Sequence, residues 1–132
     1  MKMMPSVLLL GGLLMMSACG GPTSLHEIQR AKGGNLTIVL LSADDSLHQG
    51  KDAITIEFRN GDQLVDVGNV RGQISMSMGG TPMLGAIDVT RSQTPGRYAA
   101  STEISMAGTW RMSIEWDGPA GKGATSFSVA AQ

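Results

Sequence analysis

Five methionines fall in the second half of the chain: Met76, Met78, Met83, Met106 and Met112. Three of them sit in one short segment, Ser75-Met76-Ser77-Met78-Gly79-Gly80-Thr81-Pro82-Met83. Residues two apart share a face of a strand, so Met76 and Met78 point the same way if the segment is extended. Met83 follows a Gly-Gly-Thr-Pro turn that can fold it back towards them. Three thioethers converging at a strand end make a soft donor set, the kind that selects Cu(I). The same residues also have a plain packing reading. Met76 and Met78 continue the dry-face register of Val70 and Ile74, and Met fills gaps in cores where aromatics are scarce. Met112 shares the register of Trp110 and Ile114 and reads as core.

Other chemistry finds little support. The two histidines, His26 and His48, have no His or Cys neighbour at metal-ligand spacing. Asp44-Asp45 and the pair Asp62 and Asp66 lie in or beside turns, which acidic residues favour on their own account. Gly79-Gly80 and Gly118 lack the following helix and placed lysine of a phosphate loop. No enzymatic activity is expected. Ten Lys plus Arg against eleven Asp plus Glu give a net charge of −1. With no basic cluster and few aromatics, nucleic acid is not an expected partner.

The only cysteine is Cys19. Ahead of it stand Lys2, an apolar run from Val7 to Met16 broken only by Gly11 and Gly12, and the small residues Ser17 and Ala18. This is the order of a cleaved export signal, and the run is short of the roughly 20 apolar residues a permanent span needs. Met16-Ser17-Ala18-Cys19 resembles the lipobox of bacterial lipoproteins, whose cysteine receives diacylglycerol. Residues 1–18 are therefore read as a lipoprotein signal peptide. Cys19 is read as the lipidation site that anchors the chain to a membrane, on an extracytoplasmic or periplasmic face of the cell envelope. Residues 19–34, polar and with glycine at both ends, are expected to be the lipidated cysteine and a flexible tether.

The domain, residues 35–132, shows a period of two. Ile54, Ile56 and Phe58 alternate with Thr55, Glu57 and Arg59; Trp110, Met112, Ile114 and Trp116 alternate with Arg111, Ser113 and Glu115. Turn signals punctuate these runs, Asn60-Gly61 most strongly. About seven strands are predicted, near 36–41, 53–59, 69–77, 84–91, 97–103, 109–116 and 123–129. Burying them all calls for an all-β fold, an immunoglobulin-like antiparallel β-sandwich, preceded by the signal peptide and tether. Tyr98, just after Pro95-Gly96, has the position of a tyrosine corner.

Several landmarks in order carry a family resemblance. They are Leu36-Thr37-Ile38-Val39-Leu40, Gly50-Lys51 before Ile54, the Met- and Pro-bearing segment Met76 to Met83, Pro95-Gly96-Arg97-Tyr98, and Met106-Ala107-Gly108-Thr109-Trp110. The region Leu36 to Val129 resembles the YtkA-like or FixH-like family of exported bacterial domains. The resemblance implies a β-sandwich outside the cytoplasm, no catalysis, and a link with copper handling or with assembly of copper-containing oxidases. By position, Met76, Met78 and Met83 match the family's Met/Pro segment, and Met106 matches the Met of Met-x-Gly-x-Trp. The segment departs from the commoner form, because Pro82 alone remains and Gly79-Gly80 replace bulkier residues. Trp110 then reads either as a cap over bound copper or as the main aromatic plug of the core.

Two functions stay open on these grounds. One is a non-enzymatic envelope lipoprotein that binds or hands on Cu(I) through Met76, Met78 and Met83, with Met106 as a fourth ligand and a copper protein or other envelope protein as partner. The other is a metal-free structural or protein-interaction module.

Overall fold

The computed structural model describes residues 24–132; the expected signal peptide, Cys19 and the first part of the expected tether lie outside the described residues. Ten strands follow one another: β1 (His26–Gly33), β2 (Leu36–Ser42), β3 (Gly50–Asn60), β4 (Gln63–Leu64), β5 (Asn69–Met78), β6 (Thr81–Leu84), β7 (Ala86–Arg91), β8 (Arg97–Ile104), β9 (Gly108–Gly118) and β10 (Gly121–Ala131). One sheet has the order β1-β2-β3-β8-β7, with β4 beside β3, and the other has the order β10-β9-β5-β6. Every pairing between these strands is antiparallel. Setting β1 and β4 aside, the orders are the A-B-E-D and G-F-C arrangement of an immunoglobulin-like sandwich, with β6 as an added C′ edge. Among the described residues no helix is long and apolar enough to cross a membrane.

The period-two pattern lays one side chain in two on the inner faces. Ile54, Ile56 and Phe58 of β3 meet Trp110, Met112, Ile114 and Trp116 of β9, with Tyr98, Ala100 and Ile104 of β8 completing the buried cluster. Phe58 stands edge-on to Tyr98 at 5.4 Å and to Trp116 at 5.2 Å between ring centroids, the arrangement aromatic pairs prefer.

Seven of the ten strands are those the alternation predicts, with ends shifted by a few residues. Three are additions. β1 corrects the expected tether: His26–Gly33 pair with β2, and Ile28 and Ala31 pack against the core. Gln29 Nε2 donates to the Ser128 carbonyl at 2.9 Å and Thr125 Oγ1 to the Lys32 carbonyl at 3.3 Å, so β1 also ties the two sheets together. Its alternation is broken by an irregularity between Glu27 and Gln29, which is why its sequence reads as polar linker. The expected strand 84–91 is β7, and its first residue, Leu84, ends a separate strand, β6. β6 pairs with β5 in one sheet and β7 with β8 in the other, and the chain crosses at Gly85, whose N–H donates to the Ile74 carbonyl at 2.9 Å. A Cβ at Gly85 would lie 2.8 Å from Ile74 Cγ2 and 3.0 Å from the Glu103 carbonyl oxygen, so only glycine makes this crossing without displacing its neighbours.

Tyr98 braces the fold differently from the expected corner. Its hydroxyl donates to the Gly68 carbonyl at 2.8 Å and lies 3.2 Å from Asp66 Oδ1, reaching across the sandwich from β8, the E-strand equivalent, to the loop before β5. Burial, and after it the charge of Asp66, push the hydroxyl's pKa up.

The outer face of the first sheet hides a charge. Glu57 is 1% exposed although its strand register turns it away from the core. It lies in the cross-strand row Arg30–Val39–Glu57–Arg97. Arg97 bonds it at 2.7 Å, and Arg59 bonds it from two residues along the strand. Burial pushes its carboxyl up, but the bonds from Arg59 and Arg97 outweigh burial and hold it below the ordinary 4.5. A carboxyl with a lowered folded pKa stabilises fully above its unfolded pKa and loses that contribution as pH falls through the folded value. Glu57→Gln is therefore expected to cost about 1–3 kcal/mol at neutral pH. The gap from the parent should close progressively below about pH 4.5, as read by urea unfolding at a series of pH values.

Candidate functional site

The hairpin that carries the methionines is fixed by its turn. Gly79 and Gly80 both have positive φ, 58° and 83°, the pattern of a two-residue type I′ turn whose twist matches the flanking strands. That turn sets the register Met78↔Thr81, Ser77↔Pro82, Met76↔Met83 and Ser75↔Leu84. Directly opposed residues share a face. Met76 and Met83 are thus side by side, on the same side of the second sheet as the buried Ile74. In a two-residue hairpin the pair next to the closing pair turns its main-chain groups outward. Pro82 therefore takes the free edge, where its missing N–H costs no ladder bond and blunts that edge.

The β8–β9 turn brings the fourth methionine to the same end. The Cε of Met76 lies over Gly108, where an added Cβ would be only 2.5 Å away. Met106 stands two residues before Gly108, and its carbonyl accepts a hydrogen bond from Trp110 Nε1 at 3.0 Å. Met76, Met83 and Met106 are all partly buried and packed against the core. Met78 sits at the hairpin tip, 50% exposed, whereas Met112 is 0% exposed. The structure therefore brings Met76 and Met83 into direct register, rests Met76 on Gly108 two residues after Met106, and leaves Met78 at the rim. Trp110 is the plug of the core, fully buried, and its indole N–H clamps the turn that bears Met106.

The donors at this end are neutral thioethers. Among the described residues no group of three or more His, Cys, Asp or Glu side chains is placed to hold a metal ion. His48 Nε2 lies 2.8 Å from Asp44 Oδ2 in an exposed pair on a different loop. Such a donor set suits a soft monovalent ion and not Zn²⁺ or Ca²⁺.

Two features of this end carry no clear signal in the sequence. One is Gly108, which looks like an ordinary turn glycine until Met76 is seen to rest on it. The other is Leu84, 67% exposed on β6 beside an open groove lined by Gln49, Gly50, Gly85, Glu103 and Ser105. A single leucine after Pro-Met gives no hint that the strand changes sheet one residue later.

Gly108 has φ +143° and Gly121 has φ +128°, but a Cβ at Gly121 would meet nothing within 4 Å. Alanine is strained at both positions, at a cost of about 1 kcal/mol. Only Gly108→Ala must also push Met76 aside. Its urea midpoint is expected to fall further than that of Gly121→Ala, and the difference measures how firmly Met76 is seated.

Over residues 30–115 the chain matches the YtkA-like family. That span begins inside β1 and ends inside β9, so it takes in the hairpin and the turn bearing Met106. No curated protein and no solved structure matches the chain. Matched across well over half of its length, the chain belongs to the YtkA-like family.

Proposed function

We propose that this domain is a non-enzymatic lipoprotein of the cell envelope that binds Cu(I) reversibly through the methionines at one end of its sandwich. The observation that carries the reading is the cross-strand pair Met76 and Met83, with Met76 resting on Gly108 two residues after Met106. Met112, with the same side chain, is enclosed completely. Met76, Met83 and Met106 would hold the ion, with Met78 reaching in from the rim. Bound there, Cu(I) would be cargo to be kept soluble and passed on. The protein's own part is to hold soft sulfurs in register and to shield them with the apolar end of the core. A lipid on Cys19 would keep the domain at a membrane surface, within reach of an envelope protein that takes the ion.

Thioethers carry no charge and release no proton on binding, so affinity should change little with pH, unlike that of cysteine or histidine sites. A specific observation favours a second reading. Leu84 is exposed on the edge strand β6 beside an open groove, and Met78 is exposed at the tip of the same hairpin, as a metal-free docking module would require.

A Cu(I) titration against a competing chromogenic chelator separates the two. The copper reading predicts about one equivalent bound, held equally at pH 5 and pH 7, and lost in the triple variant Met76→Leu, Met78→Leu, Met83→Leu, which keeps the apolar bulk. No competition by the parent protein would favour the docking module, and competition that survives in the triple variant would show that the ion is held by other groups and overturn the methionine site. Strong weakening on mild acidification would point to ligands other than methionine.

A further inference from the structure

The methionine end has a second chemistry, set by exposure. Met78 is 50% exposed, Met76, Met83 and Met106 are partly buried, and Met112 is 0% exposed. Thioether oxidation follows access and turns a flexible apolar side chain into a polar, chiral one.

We propose that the β5–β6 hairpin is a methionine-oxidation site: a peroxide converts first the exposed Met78 and then the partly buried Met76, Met83 and Met106 to sulfoxides, which loosens the hairpin from the core and disables the soft donor set. The second consequence rests on the Cu(I) reading above; the first does not. In each step a sulfur lone pair attacks one oxygen of hydrogen peroxide. An S–O bond forms as the O–O bond breaks, and the departing hydroxide takes the proton of the transferred hydroxyl and leaves as water. Sulfur gives up two electrons and the peroxide takes them, with no other reactant required.

The surroundings explain why a sulfoxide is disruptive here. Met76 and Met83 face each other in the strand ladder, and Gly108 is paired with Ala131. The indole N–H of Trp110 is already given to the Met106 carbonyl. A sulfoxide oxygen formed on Met76 or Met83 therefore arrives among donors that are taken, and a buried acceptor without a donor is costly. The cheapest relief is for the four-residue edge strand β6 and its turn to swing outward, because a short edge element opens before the core does. Met112, enclosed by both sheets, is spared while the sandwich holds.

The purified protein is treated with stepwise hydrogen peroxide and divided for three readings: peptide mass mapping, thermal unfolding and Cu(I) competition. The expected map shows Met78 sulfoxide first, then sulfoxides at Met76, Met83 and Met106, with Met112 reduced throughout. Once Met76 and Met83 are oxidised, the thermal midpoint should fall by roughly 5 °C and Cu(I) competition should be lost. Both should return after treatment with methionine sulfoxide reductases. A Met76→Leu, Met83→Leu variant should keep its midpoint under the same treatment. Oxidation of Met112 together with Met78, or an equal fall in midpoint in the variant, would overturn the proposal. If the untreated protein fails to compete for Cu(I), the copper reading falls alone, and the mass map and the midpoint still decide this one.

Discussion

All five aromatic side chains of this chain, Phe58, Tyr98, Trp110, Trp116 and Phe127, are spent on closing the space between two sheets. The domain has no cysteine with which to cross-link itself, so packing must hold it. That packing is possible only where the opposing backbone gives room. Trp116 is the clearest case. A Cβ at Gly33 would lie 2.5 Å from its Cη2, and one at Gly123 would lie 2.2 Å from its Cζ2. The β1–β2 turn and β10 are thus held against the same indole, which closes one side of the sandwich. On the other side the chain crosses between sheets at Gly85, where a Cβ would lie 2.8 Å from Ile74 Cγ2 and 3.6 Å from Trp110 Cζ3.

The methionine end is a consequence of the same economy. With the aromatics used elsewhere, the end near Gly108 is filled by thioethers, which are flexible enough to lie on bare backbone. Their arrangement is nonetheless specific. The type I′ turn at Gly79-Gly80 leaves one register for Met76 and Met83, and a slip of β6 by one residue would turn Met83 outward. Trp110 links this end to the core by giving its indole N–H to the turn that carries Met106. A change at the methionines is therefore felt by the central plug of the fold, and the reverse holds as well.

Much of the fold is legible in the sequence because the inner faces of β3, β8 and β9 alternate cleanly, and period two leaves few other ways to bury them. The edges are not legible in this way. β1 buries only part of one face and carries an irregularity at Glu27–Gln29, so His26 to Gly33 reads as linker. The break at Gly85 depends on which sheet each half joins, and that is decided by contacts to Ile74 and Glu103 far away along the chain. Glu57 falls at a wet-face position by alternation, yet Arg59 and Arg97 fold over it, and no local pattern encodes that cover. At the candidate site the spacing of Met76, Met78 and Met83 gives their shared face, while the seat of Met76 on Gly108 emerges only when β5 and β9 are side by side.

On the copper reading four methionines at one end act together as a soft site while a fifth, Met112, serves only the core. Methyl-¹³C methionine labelling with NMR during a Cu(I) titration tests this residue by residue. The Met76, Met83 and Met106 methyl signals are expected to move together, Met78 to follow, and Met112 to stay where it is. Signals that do not move at all, or a Met112 signal that moves as far as the others, would contradict that reading.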